Sequence, residues 1–122
     1  MLQNLSWVSI TDNTGIKEAM VIRVIGGSTK KFAKIGDVAI CSAKSVTPNS
    51  TIKKGQVVKV VIVRTKFGIK RKDGSCVKFD DNAAVVIKDD GLPRGTRVFG
   101  VLAREVKDRG YSKIASLAEE IV

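Results

Sequence analysis

Between Arg64 and Lys72 five cationic side chains fall within nine residues, Arg64-Thr65-Lys66-Phe67-Gly68-Ile69-Lys70-Arg71-Lys72, and no carboxylate interrupts them. Asp73-Gly74 follows at once, and that dipeptide is the strongest short-range signal for a tight hairpin turn. A cationic hairpin arm suits one chemistry above others: each Lys or Arg set against a phosphate releases condensed counterions. Arg71 can approach a phosphate bidentately, whereas Lys66, Lys70 and Lys72 act as point charges. Phe67 and Ile69 interleave with the cations, so the arm keeps a strand-like alternation and should be at least partly ordered. Lys78 lies on its return limb. The pattern points to a nucleic acid, with RNA the expected target.

Two further clusters are free of acids. Ser28-Thr29-Lys30-Lys31-Phe32-Ala33-Lys34 joins two apolar runs, and Lys53-Lys54-Gly55 precedes another. In a small barrel such loops can gather with the hairpin on one side, and three of them exceed what solubility alone requires. Lys44 projects from an alternating run between them. Later, Gly91-Leu92-Pro93-Arg94-Gly95-Thr96-Arg97-Val98-Phe99-Gly100 sets Arg94 and Arg97 on an irregular path suited to RNA, to a protein partner or to capping the barrel.

Catalytic chemistry finds little support. The chain has no histidine, which removes Ser-His and Cys-His machinery and ordinary zinc hydrolysis. Gly26-Gly27-Ser28-Thr29-Lys30 has the wrong residue order for a phosphate-cradling P-loop. Asp80-Asp81 and Asp89-Asp90 could bind a hard cation, but they sit beside Asn82 and Gly91, where Asp favours turn hydrogen bonds. Cys41 and Cys76 are too far apart for a CxxC motif and read as reduced core or half-core residues. No metal and no cofactor is expected.

The elements that must carry the cations are strands. The aromatic content is only 5%, so the core rests on Val, Ile, Leu and Ala, a β-branched supply that favours sheet. Strand-like runs occur at Leu5–Ile10, Ala19–Ile25, Asp37–Val46, Val57–Arg64, Ser75–Phe79 and Ala83–Lys88, separated by turn signals. Their spacing predicts one mainly-β domain over residues 1–122, a small closed or nearly closed barrel. Helical spacing is confined to Val101–Asp108 and Ser112–Glu120, with Ser112 as N-cap and Gly110 as a stop. Of the net charge of +10, residues 1–78 carry +11 and residues 79–122 carry −1, so one surface should be cationic. No apolar stretch approaches the roughly 18 residues of a membrane span, no secretory signal is visible, and no basic amphipathic helix suggests a lipid partner.

These residues resemble a known family. Asp12-Asn13-Thr14-Gly15, Ile35-Gly36-Asp37, Val61-Ile62-Val63-Arg64-Thr65, Phe79-Asp80-Asp81-Asn82-Ala83-Ala84-Val85, Gly95-Thr96-Arg97-Val98-Phe99-Gly100 and Lys113-Ile114-Ala115-Ser116-Leu117-Ala118 occur in the order found in the bacterial and organellar form of universal large-subunit ribosomal protein fourteen. The most specific part is an aliphatic triplet, nine residues, Asp-Gly, four residues, an aromatic, and Asn three further on. Val61 to Val86 meets that spacing. The family pattern has a small residue where this chain has Val60, and prolines where it has Val101 and Glu119.

The resemblance implies a five-stranded β-barrel with a protruding basic hairpin, about residues 64–79, and short C-terminal helices within about 101–122. It implies a non-enzymatic structural role in the large ribosomal subunit of the cytoplasm, with an organellar ribosome left open. The expected partners are large-subunit rRNA, small-subunit rRNA at the subunit interface and neighbouring ribosomal proteins. Lys30, Lys31, Lys34, Lys44, Lys53, Lys54, Arg64, Lys66, Lys70, Arg71, Lys72, Lys78 and Arg94 are the candidate RNA contacts. A ribosomal silencing factor is a further partner of the family, with Thr96, Arg97 and Lys113 as matching contact positions. Two alternatives stay open: a protein–protein adaptor using Gly95–Phe99 and the terminal helices, and a nucleic-acid enzyme built on the paired aspartates.

Overall fold

β-branched residues crowd a helix but pack well on a pleated surface, and the Val/Ile runs of this chain fold accordingly. The computed structural model describes residues 6–25, 32–48, 50 and 52–122. In chain order the elements are β1 (Trp7–Ile10), β2 (Ile16–Val24), β3 (Val38–Val46), β4 (Val57–Arg64), β5 (Ile69–Lys70), β6 (Cys76–Val77), β7 (Ala83–Ile87), β8 (Val98–Leu102), α1 (Arg104–Asp108), α2 (Ser112–Leu117) and β9 (Ala118–Ile121). A closed barrel forms in the order β1-β2-β3-β4-β7. Its neighbours are antiparallel except at the closing seam, where β1 and β7 run parallel through Ser9↔Ala83 and Ile10↔Ala84. Closure leaves the barrel strands no open edge.

Val8, Val21, Cys41, Val60, Ile62, Ala84 and Val86 fill the interior. Alternate residues of β4 and β7 (Val61, Val63, Ala83, Val85 and Ile87) point outward and are covered by Val98, Leu102, Val106 and Ile114 of the C-terminal unit. This second core explains why these two strands read as nearly continuous apolar runs: both faces are buried. The strands expected from the sequence are present, although β2 begins at Ile16, earlier than Ala19, and the return limb expected over Ser75–Phe79 is a strand only at Cys76–Val77. Leu5, Lys30 and Lys31 lie outside the described residues.

The C-terminal expectation needs correction. Val101 and Leu102 belong to β8, so the first helix spans only Arg104–Asp108. The second stops at Leu117, and the next residues turn extended to pair in parallel with β8 through Val98↔Ala118 and Leu102↔Ile121. Ser112 is not the N-cap either; Tyr111 is, without a side-chain hydrogen bond. Helices of one or two turns are marginal by themselves, and a strand beside β8 satisfies backbone groups that a lengthened α2 would leave in the wrong place. Glu119, at one of the missing prolines, accepts a hydrogen bond from the Gly100 N–H at 3.3 Å.

Candidate nucleic-acid interface

Strand register decides where each cationic segment emerges. Pairings Val24↔Ala39, Val38↔Val61 and Arg64↔Ala83 put the β2–β3 connection and the whole β4–β7 connection at one end of the barrel. The β1–β2 turn, the β3–β4 connection and the segment after β7 are therefore at the other. Lys34 and the hairpin cations share the first end. Lys53, Lys54 and Arg94 occupy the second, so the loop carrying Lys34 gathers with the hairpin and the Lys53-Lys54 loop does not. Asp80-Asp81 and Asp89-Asp90 are likewise separated. Among the described residues no group of acids, cysteines or histidines is placed to hold a metal.

The hairpin turns where Asp73-Gly74 predicts. The Gly74 N–H donates to the Arg71 carbonyl at 3.0 Å and the Arg71 N–H to the Ser75 carbonyl at 2.8 Å, with Gly74 at φ +91. Ser75 hydroxyl and N–H donate to Asp73 Oδ1 at 2.7 and 3.0 Å, and these bonds pull the Asp73 carboxyl below its usual value. Ile69 and Phe79 pack on the outer core, which fixes the arm's base. Lys66, Lys70, Lys72 and Lys78 are exposed. Phe67 stands 64% exposed among them, an apolar surface within the charged arm.

The two arginines of the run behave differently. Arg64 is 8% exposed. Its Nε lies 3.1 Å from Asp81 Oδ1, Nη2 donates to Asp81 Oδ2 at 3.3 Å, and Nη1 donates to the Val101 carbonyl at 3.1 Å. Gly100, at φ +79, leaves the room that Nη1 fills. Arg71 is half-buried, and Glu105 hydrogen-bonds it from α1 at 3.0 Å. That bond raises the guanidinium pKa further, so it stays charged. The sequence signal for Arg64 and Arg71 was charge density alone; what it missed was an acid within reach of each, Asp81 and Glu105. Asp81 is thus an ion-pair partner as well as a turn residue.

Elsewhere Lys34, Lys53, Lys54 and Arg94 are exposed, and Lys44 is half-buried on β3. Thr96 and Arg97 are exposed side chains on a fixed backbone: Asn13 Oδ1 accepts from their N–H groups at 2.8 and 3.3 Å, and Asn13 Nδ2 donates to Thr96 Oγ1 at 2.7 Å. Lys113 is exposed on α2, and Ala118, the first residue of β9 after that helix, pairs with Val98. No hydrogen bond joins it to Thr96 or Arg97 among the described residues.

Asp12 is a residue whose role the sequence reading missed. Buried beneath the β1–β2 turn, its Oδ2 accepts from the Val86 N–H at 2.9 Å and its Oδ1 from the Thr14 hydroxyl at 2.6 Å. Burial pushes its pKa up despite these bonds. An isolated bridge from Asp12 to Val98 joins barrel and C-terminal unit. The Asp-Asn-Thr-Gly turn cluster was legible; its burial was not. Cys41 is buried, with its thiol pushed up to about 12 by desolvation, while Cys76 is exposed rather than half-core.

Comparison with known proteins gives the family. The family model described as ribosomal protein L14p/L23e matches residues 1–122. Curated relatives named large ribosomal subunit protein uL14, from Mesomycoplasma hyopneumoniae strains 7448, J and 232, are each 57% identical over 122 residues, covering 100% of both chains. With a family model spanning every residue and relatives aligned from end to end, the chain belongs to the ribosomal protein L14p/L23e family.

Proposed function

We propose that this protein is a non-catalytic structural constituent of the large ribosomal subunit that binds large-subunit rRNA and contributes to a bridge with small-subunit rRNA. One observation carries the reading: exposed cations stand at both ends of a closed barrel, Lys34, Lys66, Lys70, Lys72 and Lys78 at one and Lys53, Lys54 and Arg94 at the other. Charges placed this way neutralise phosphates of two RNA segments lying against opposite ends. Recognition is by backbone charge and groove shape, as is usual for folded RNA. The ribosome is the proposed location, in the cytoplasm or in an organelle.

Sedimentation of the tagged chain at low magnesium tests the class: the reading requires co-migration with the free large subunit, and recovery only with soluble protein would defeat it. Filter binding of a Lys66→Glu/Lys70→Glu/Lys72→Glu variant tests the arm. Loss of about three phosphate contacts should weaken rRNA binding by orders of magnitude at moderate salt.

A second reading is favoured by the Asn13 clamp, which holds Thr96 and Arg97 exposed in one geometry. Together with Lys113 they form the proposed contact for a protein partner such as a silencing factor. Capture of that factor should survive nuclease treatment and be lost on Thr96→Ala/Lys113→Ala substitution.

A further inference from the structure

Where β1 starts beside β7 at the closing seam, Trp7, Glu18, Lys66, Asp80, Asp81 and Asn82 line an open cavity of about 310 Å³. Trp7 is the only tryptophan of the chain and stands 53% exposed. Trp7 pairs with Met20, Met20 with Ser42 and Ser42 with Val57, so these four side chains share one row on the outer face of β1 to β4. Val57 is exposed at the far end of the row, and Ile22 is exposed beside it on β2. The C-terminal unit covers the outer side of β4 and β7, and none of Trp7, Met20, Ile22 or Val57 joins that second core. An apolar face of the barrel is thus left without cover among the described residues.

Charge selects what can cover it. In a chain of net charge +10, carboxylates flank the indole. Glu18 stands opposite Ser9, two residues along the same face from Trp7, and Asp80 and Asp81 close the cavity from the β7 side. Asp81 is committed to Arg64. No hydrogen bond or ion pair engages the Glu18 or Asp80 carboxylate among the described residues. Lys66 holds neither of them; its backbone N–H donates to Asn82 Oδ1 at 2.9 Å. Two free carboxylates against one ammonium leave the cavity negative, so it repels phosphate. A second copy of so cationic a chain is opposed by its own charge.

We propose that this face docks an extended, arginine-bearing segment of another protein. One guanidinium sits between the Trp7 indole and the Glu18 and Asp80 carboxylates, and the apolar neighbours of that arginine lie along the row from Met20 to Val57. A guanidinium stacks on an aromatic face and forks onto a carboxylate, two contacts that an ammonium makes less well. Its methylene stem adds apolar cover of its own. Four adjacent strands span roughly 14 Å at their usual spacing, which an extended segment of about four residues crosses.

The single tryptophan reports on its own seat. The full chain is titrated, at a salt concentration of about 0.15 M, with an acetylated and amidated Val-Arg-Val-Arg-Val peptide and with its neutral citrulline counterpart. The arginine peptide should change Trp7 emission saturably and bind about tenfold more tightly than the citrulline form. Glu18→Gln/Asp80→Asn should weaken the arginine peptide about fivefold and leave the citrulline peptide unmoved. Both substituted side chains are exposed, so the melting temperature should stay at the wild-type value. Val57→Ser should weaken both peptides alike. Equal affinity for the two peptides, indifference to the double substitution, or an emission change that never saturates overturns the proposal. Spermine binding as tightly as the arginine peptide also overturns it, because the cavity would then be taking any cation. None of these outcomes bears on rRNA binding, which is measured separately.

Discussion

Arg71 Nη2 lies 3.0 Å from Glu105 Oε1, an ion pair that ties the basic hairpin to the first C-terminal helix. The same nitrogen donates to the Val122 carbonyl at 2.7 Å, while Nε lies 3.3 Å from both Glu105 oxygens. The most phosphate-suited side chain of the run is therefore spent on positioning the arm, and the lysines around it carry the free charge. Its two flanking cations, Lys70 and Lys72, are exposed.

Substitution should separate these roles. Arg71→Ala and Glu105→Ala are both expected to lower the melting temperature and to loosen amide protection in β5 and β6. Lys70→Glu/Lys72→Glu should leave melting nearly unchanged while weakening RNA association. Thermal denaturation paired with filter binding checks both; equal melting losses in the two sets would contradict the division.

Asp12 makes stability depend on acidity in a defined direction. Its folded pKa is raised above the ordinary 3.8 by burial, so the folded state binds the proton more tightly than the unfolded one. Its contribution is greatest below 3.8 and is lost as pH rises through the raised value. Relative to Asp12→Asn, which cannot titrate, the wild-type stability should decline as pH rises from 3.8 through the raised value. Denaturant titrations across that window measure the difference; a constant or widening wild-type advantage would contradict it.

The Asn13 clamp predicts a local effect. Asn13→Ala removes the acceptor shared by the Thr96 and Arg97 N–H groups and should cost about 1 kcal/mol. Hydrogen exchange at those two amides should accelerate, with barrel amides such as Val60 and Val86 unaffected.

The core predicts a contrast in magnitude. Ile62 is fully buried in the barrel, whereas Val57 at the start of the same strand is 57% exposed. Ile62→Ala should cost about 2–5 kcal/mol through lost packing and a residual cavity, and Val57→Ala no more than about 0.5 kcal/mol. Chemical denaturation of both variants provides the comparison.

The two thiols should react unequally. Cys76 is exposed on β6, and Cys41 is buried with its pKa near about 12. A thiol reagent should label one cysteine in the native protein and both after denaturation. Rapid native labelling of Cys41 would mean the barrel opens far more readily than its packing implies.

Much of this fold is written in local pattern. Val57–Arg64 and Ala83–Lys88 announce strands because β-branched side chains suit a pleat, and Asp73-Gly74 announces the hairpin because glycine tolerates φ +91 at no steric cost. The run from Arg64 to Lys72 is visible as charge, and a composition without histidine narrows the chemistry by itself. Those signals depend on neighbours a few residues apart. The remaining features depend on residues far apart in the chain. Arg64 meets Asp81, Arg71 meets Glu105, Asp12 meets Val86, and residues 118–121 leave helical spacing to pair with β8. Only closure of the barrel decided which charges turn inward and sent Lys53-Lys54 to the end opposite the hairpin, because strand register, not distance along the chain, sets where each connection emerges.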